Sequence, residues 1–173
     1  MTTELLVTGY GPFGSIKENP SEWLASNIGL RHQILPVSFE AVDEFLTTMD
    51  SPVLLSLGVH STAKCMHLEW IARNQVAALP DALGVVREGE IETGGPEVMA
   101  TTLWLGTRLD DGQLPDGVKA STNAGTYLCN YILYRSLRLF PDRRVGFLHV
   151  PTFTVIPAKK QLEILEEVVS VFV

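Results

Sequence analysis

The sequence predicts an α/β fold, a three-layer sandwich in which a twisted, mostly parallel central sheet is flanked by helices. Short continuous apolar runs such as those at 5–8, 53–57 and 145–150 fit strands buried on both faces. They alternate with segments of helical period, the order expected of βα units. Hydrophobic residues make up 46% and charged residues 19% of the 173 positions, a balance that can bury a core within one domain spanning residues 1–173.

The elements follow in chain order. Leu5 to Thr8 reads as a buried strand that ends in the irregular loop Gly9-Tyr10-Gly11-Pro12-Phe13-Gly14. Asn19 then caps a helix whose first position is Pro20, where a missing N–H costs nothing. Gln33 to Val37 reads as a second strand. Phe39, Val42, Phe45 and Leu46 share one face of a helix that follows it. Val53 to Leu57 is again a strand, and Leu68 to Ala78, rich in β-formers, reads as one longer strand. Pro80 to Pro96 has little periodicity and reads as loop holding at most one hairpin. Val98 to Leu105 reads as a helix, Val118 to Thr122 as a strand, Tyr127 to Leu139 as a helix, Val145 to Val150 as a strand and Pro157 to Phe172 as a closing amphipathic helix. Sheets of this kind bind ligands beyond the carboxyl ends of their strands. That rule selects the glycine loop after Thr8, the loop after Leu57 and the turn after Thr122.

Composition excludes several functions. Thirteen basic residues against 20 acidic ones give a formal net charge of −7, with no basic stripe to displace counterions from a phosphate backbone, so no nucleic-acid partner is expected. No segment approaches the roughly 20 apolar residues that cross a bilayer, and the amino terminus, beginning Met1-Thr2-Thr3, has no basic leader region. The expectation is a cytoplasmic protein with no membrane partner. Two cysteines, Cys65 and Cys129, are too few for a disulfide framework.

Three residues stand where chemistry could be done. Cys129 falls just inside the start of a helix, after Asn123-Ala124-Gly125. Free backbone N–H groups and the helix dipole there favour a thiolate and could hold an oxyanion. Position alone equally allows a small buried hydrophobe. His149 ends an apolar strand before Pro151, near the carboxyl edge of the sheet, where a base or a satisfied core histidine fits. Glu69 stands inside an apolar strand and needs either a partner, for which a histidine N–H is suited, or an edge position facing solvent. Tyr10 and Phe13 offer two rings against which a flat, small ligand could lie, although Phe13 could equally plug the end of the sheet. The glycine loop lacks the lysine and spacing of a phosphate cradle. Cys65 and His67 with Cys129 and His149 could supply four zinc ligands, but their spacing matches no common zinc knuckle, and no metal or cofactor is expected. His32 and His60 are read as surface or loop residues without a role.

Taken together, Thr8-Gly9-Tyr10-Gly11-Pro12-Phe13-Gly14 with Asn19-Pro20, Ala124-Gly125-Thr126-Tyr127-Leu128-Cys129-Asn130-Tyr131, and Phe147-Leu148-His149-Val150-Pro151 resemble the pyroglutamyl peptidase I family of cysteine peptidases, also called pyrrolidone carboxyl peptidases. The likeness runs through nearly the whole chain and includes Leu35-Pro36-Val37 and the stretch from Gly58 to Asn74. It implies a phosphorylase/hydrolase-like sandwich, removal of an amino-terminal pyroglutamate from peptides without metal or cofactor, and a nucleophile at Cys129, a base at His149 and its carboxylate partner at Glu69. Tyr10 and Phe13 are expected to line the substrate pocket. It also implies a homo-oligomer, although the Pro80 to Pro96 region is shortened. The chain departs from the family pattern at Ser61, Ala63, His67, Trp70 and Asn123. A catalytically silent protein that binds pyroglutamyl ligands on the same scaffold is the alternative.

Overall fold

The computed structural model describes residues 4–173; Met1, Thr2 and Thr3, on which part of the reading of the amino terminus rests, lie outside them. Ten strands and four helices succeed one another among these residues: β1 (Leu5–Tyr10), α1 (Pro20–Asn27), β2 (Arg31–Leu35), α2 (Phe39–Thr48), β3 (Val53–Val59), β4 (Met66–Glu69), β5 (Ile71–Arg73), β6 (Val76–Pro80), β7 (Val86–Gly89), β8 (Val98–Ala100), β9 (Val118–Ser121), α3 (Leu128–Leu139), β10 (Arg144–Val150) and α4 (Ala158–Val169).

Six strands form the central sheet in the order β2-β1-β3-β10-β4-β9. The first four are mutually parallel, β10 meets β4 antiparallel, and β9 runs parallel to β4. The sheet is therefore mostly parallel, as expected. Its one unusual step is that β10, the last strand in the chain, inserts between β3 and β4.

Period-two alternation assigns the two faces. Leu5, Val7, Val53, Leu55, Leu57, Met66, Leu68, Leu148 and Val150 pack with α1 and α4. Leu6, Tyr10, Leu54, Val145 and Phe147 pack with α2 and α3. On this second face, Thr8 donates its hydroxyl to that of Ser56 at 2.9 Å, so that two buried polar groups in neighbouring strands satisfy each other. His67, Glu69 and His149 continue the same alternation and thus project toward α3.

Two elements differ from the sequence reading. The stretch from Leu68 to Ala78 is broken into β4, β5 and β6. Asn74 turns the chain: its side chain both donates to the Glu92 carbonyl at 2.8 Å and accepts from the Glu92 N–H at 2.9 Å. The stretch from Val98 to Leu105 forms no helix. Val98–Ala100 pairs antiparallel with β5, while Leu103 and Trp104 are buried against the main sheet, where the Leu103 N–H reaches the Val145 carbonyl at 3.0 Å. Leu103 and Trp104 are its fully buried apolar residues, while Val98 and Leu105 stay exposed, so the stretch carries no helical apolar face. The Pro80 to Pro96 region supplies only the turn and second strand of a hairpin, whose first strand β6 begins before it at Val76.

The end of β1 is set by steric contact with α1. The Asn19 side chain caps α1 through the Ser21 N–H at 3.0 Å and also donates to the Gly11 carbonyl at 3.0 Å, which pins the glycine loop to the helix start. A Cβ on Gly9 would lie 2.3 Å from the Ser21 carbonyl oxygen. Backbone cannot yield there as a side chain would. Gly9→Ala is expected to lower stability by about 3 kcal/mol, read as a reduced midpoint in urea unfolding; an unchanged midpoint would show that α1 can move away freely.

Candidate active site

Cys129, His149 and Glu69, separated in sequence by 20 and 60 residues or more, converge where β10 enters between β3 and β4. Cys129 is the second residue of α3, and no side chain caps that helix start, which leaves its first N–H groups free to act on an anion. Below it, Gly58 pairs with His149 in the β3/β10 register. A Cβ on Gly58 would stand 2.5 Å from the Cys129 sulfur and 2.7 Å from Phe147, so the missing side chain is what lets the sulfur settle onto the sheet.

On the other side of His149 lies β4. Glu69, with no exposed surface, accepts a hydrogen bond from His149 Nδ1 at 2.8 Å through Oε1. This bond occupies Nδ1 and leaves Nε2 as the ring nitrogen available to a thiol. The edge position facing solvent is thus excluded for Glu69, because β4 has β10 on one side and β9 on the other. Trp104, buried behind the sheet, donates its indole N–H to the Glu69 carbonyl at 2.9 Å and fixes the main chain there. Asn130, next to Cys129, accepts from the Arg73 N–H at 2.9 Å and donates to the Arg73 and Gln75 carbonyls at 2.9 and 3.0 Å. The helix start is in this way tied to the chain that has just left Glu69.

The electrostatics follow from burial and pairing. Burial alone would push the His149 imidazole down, but the Cys129 thiolate, by charge and hydrogen bonding, and then Glu69 outweigh it and raise the group from 6.5 to about 9. The ring is therefore charged at neutral pH. Burial, and after it the charge of Cys129, hold the Tyr10 phenol well above its ordinary value, and burial, Asp81 and Cys129 raise Tyr127 to about 12. Both phenols stay neutral donors: Tyr10 donates to the Leu128 carbonyl at 3.1 Å and Tyr127 to that of Pro80 at 2.8 Å.

Two cavities meet at the sulfur. One, of about 170 Å³, is mainly apolar and is walled by Tyr10, Phe13, Ile16, Val37, Tyr127 and Leu128, among others. The other, of about 290 Å³, is lined by His60, His149 and the segment from Asn123 to Tyr127. Val59, Ser61, Tyr127 and Cys129 border both. Tyr10 and Phe13 both line the smaller cavity. The sequence reading assigns no role at this site to Tyr127 or Ser61, and it takes His60 for a surface or loop residue without one. The loop after β3 was selected by the carboxyl-end rule, so that rule already contained the signal for His60 and Ser61; for Tyr127 the signal was its place two residues before the cysteine, with its ring 5.9 Å from that of Phe13.

Cys65 is a free, half-buried thiol outside both cavities. Among the described residues no three His, Cys, Asp or Glu side chains are placed to share a metal ion, so the four-ligand zinc arrangement does not form. Among them, too, no helix is long and apolar enough to cross a membrane.

A thiol at a helix start, an imidazole and a buried carboxylate in this order define a cysteine hydrolase. A family model described as pyroglutamyl peptidase matches residues 3–169. The chain is 32% identical to the pyrrolidone-carboxylate peptidase of Pyrococcus furiosus over 170 residues, covering 86% of this chain and 80% of that protein. It superposes on pyrrolidone carboxyl peptidase from Thermococcus litoralis with a TM-score of 0.81 at 26% identity, covering 96% of this chain and 91% of the other, and on the Thermus thermophilus protein with a TM-score of 0.74 at 30% identity, covering 94% and 98%. The chain belongs to the pyroglutamyl peptidase family of cysteine peptidases.

Two outcomes follow from this geometry. Gly58→Ala should displace the sulfur and lower kcat/KM by about 100-fold with the fold retained, checked by steady-state kinetics beside circular dichroism. The raised imidazole also has a sign in pH. The charged His149 ring adds stability in full below pH 6.5 and loses it as pH rises toward about 9. The basic limb of kcat/KM should accordingly lie near pH 9; a limb near 6.5 would show that the ring is not held in its charged form.

Proposed function

We propose that this chain removes amino-terminal pyroglutamate from peptides with Cys129 as nucleophile, His149 as acid and base, and Glu69 as the carboxylate that orients and supports His149. The observation that carries the assignment of roles is the buried Glu69–His149 hydrogen bond at 2.8 Å beside a thiol at the start of α3.

In this reading His149, which keeps its proton to about pH 9, is the imidazolium partner of the attacking sulfur. The thiolate attacks the pyroglutamyl carbonyl, and the first N–H groups of α3 receive the oxyanion. The C–N bond breaks as His149 passes its proton to the departing amine, which leaves a thioester on Cys129 and a neutral ring. His149 then takes a proton from water as the hydroxide adds to the thioester. Collapse of that intermediate releases pyroglutamate and restores the thiolate and the charged ring.

The lactam ring would occupy the cavity walled by Tyr10, Phe13 and Tyr127, and the rest of the peptide the cavity beside His60. An apolar wall suits an uncharged five-membered ring and penalises glutamate, whose ammonium and carboxylate would be left unpaired. The β6–β7 ribbon exposes Leu79, Leu83, Val85 and Val86, which supports association with further copies of this chain.

The test is kinetic. A pyroglutamyl anilide should be hydrolysed at least 100-fold faster than its prolyl and glutamyl analogues, and equal turnover of the prolyl compound would refute the pocket assignment. Cys129→Ala should lower kcat by about 10,000-fold or more, and Glu69→Gln, which keeps the shape but removes the charge, by about 1,000-fold. Cys65→Ala should leave kcat within about two-fold of the parent. Comparable losses at the two cysteines would refute the choice of nucleophile.

A further inference from the structure

The catalytic face of the sheet carries more imidazole than the reaction described above uses. His149 lies opposite His67 in the β10/β4 register, and His67 lies opposite Lys119 in the β4/β9 register. His60, the first residue beyond β3, leans over both rings. Its centroid is 5.5 Å from that of His149 with the planes at 83°, and 5.1 Å from that of His67 at 62°.

The His60 main chain is held in place. Its N–H donates to the Val150 carbonyl at 2.9 Å, which extends the β3/β10 pairing by one residue, and its own carbonyl accepts from the Ala63 N–H at 3.1 Å in a tight turn. The Thr62 hydroxyl lies 3.4 Å from its Nδ1. The ring also borders the cavity that contains the Cys129 sulfur and His149.

We propose that His60 is a positioning residue for the Cys129–His149 pair: its neutral ring packs edge-to-face against the His149 imidazole and steadies it, and uptake of a proton by His60 in mildly acidic solution disables the pair. This rests on the catalytic roles assigned above.

The groups that face His60 are His149 from β10, His67 and Glu69 from β4, Lys119 from β9, Cys129 from α3 and the Thr62 hydroxyl from its own loop. Glu69 already gives Oε1 to His149, and its Oε2 has no hydrogen-bond partner among the described residues. With His149 charged and Lys119 beyond His67, a proton on His60 adds a like charge within the range where such charges strongly oppose each other. The coupling is reciprocal: the charge on His149 opposes a proton on His60, and a proton on His60 opposes the charge on His149 to the same extent. Burial first, and then the charge of His149, hold His60 below 6.5 against the opposing pull of Glu69. His60 consequently takes up its proton less readily than an ordinary imidazole.

The experiment compares parent and His60→Gln enzyme in the pH dependence of kcat/KM on a pyroglutamyl anilide. The parent should show an acid limb steeper than a single proton requires. In the variant that limb should move about one unit to lower pH and become shallower, with the basic limb still near 9 and neutral-pH kcat/KM reduced several-fold. A uniform loss with both limbs unmoved would mean that His60 is merely structural and would overturn the proposal. Histidine NMR titration of the parent protein provides the arm that needs neither the variant nor turnover. The His149 resonance should show a second inflection at the pH, below 6.5, where His60 titrates, and its absence would overturn the proposal as well. Failure of the parent to cleave any pyroglutamyl substrate would instead remove the catalytic reading, and the NMR titration would still decide whether His60 and His149 are coupled.

Discussion

Burial of the Glu69 carboxylate in the middle of a sheet is the constraint from which the rest of the structure follows. An ionised carboxylate with no exposed surface is tolerated only when it is paired. Its partner is supplied by the last strand of the fold, which enters between β3 and β4 and places His149 diagonally across from it. Were β10 to join the sheet at an edge, Glu69 would lose its partner and His149 its orientation. The insertion also accounts for how residues so distant in the chain share one centre: β3 supplies Gly58 beneath the sulfur, β10 the imidazole, β4 the carboxylate, and α3 lays Cys129 over them.

Around this centre the chain uses main-chain anchors more than side-chain charge. Trp104 holds the Glu69 carbonyl from behind, Asn130 ties the first turn of α3 to the chain after β4, and Asn19 joins the glycine loop to α1. Each fixes a piece of backbone that carries a residue of the buried cluster or of a cavity wall. The hairpin of β6 and β7 adds another, through Pro80, whose carbonyl receives the Tyr127 hydroxyl at the wall of the apolar cavity. The apolar cavity and the Cys129–His149–Glu69 cluster are therefore held by the same rigid shell.

Much of this was legible in the sequence, for reasons that can be named. Strands buried on both faces, as at Val53 to Leu57, leave continuous apolar runs, and a cysteine just past a glycine turn or a histidine just before a proline marks the edge of a sheet. The stretch from Val98 to Leu105 misled because its apolar residues share no face: Leu103 and Trp104 are buried against the main sheet, while Val98 and Leu105 stay exposed. The long strand expected from Leu68 to Ala78 misled because its interruption lies in the side-chain bonds of Asn74 to a residue 18 positions away. His60 looked like a loop residue and is one; only the return of β10 beside β3 turns that loop toward the active centre.

The central claim is that a buried carboxylate and an adjacent thiolate keep one imidazole charged well into the basic range. The most direct measurement is the titration of the His149 ring by NMR in the parent protein and in Glu69→Gln. The account predicts a midpoint near 9 in the parent and one lower by at least about one unit in the variant. A parent midpoint near that of free histidine, or identical midpoints in the two proteins, would contradict it.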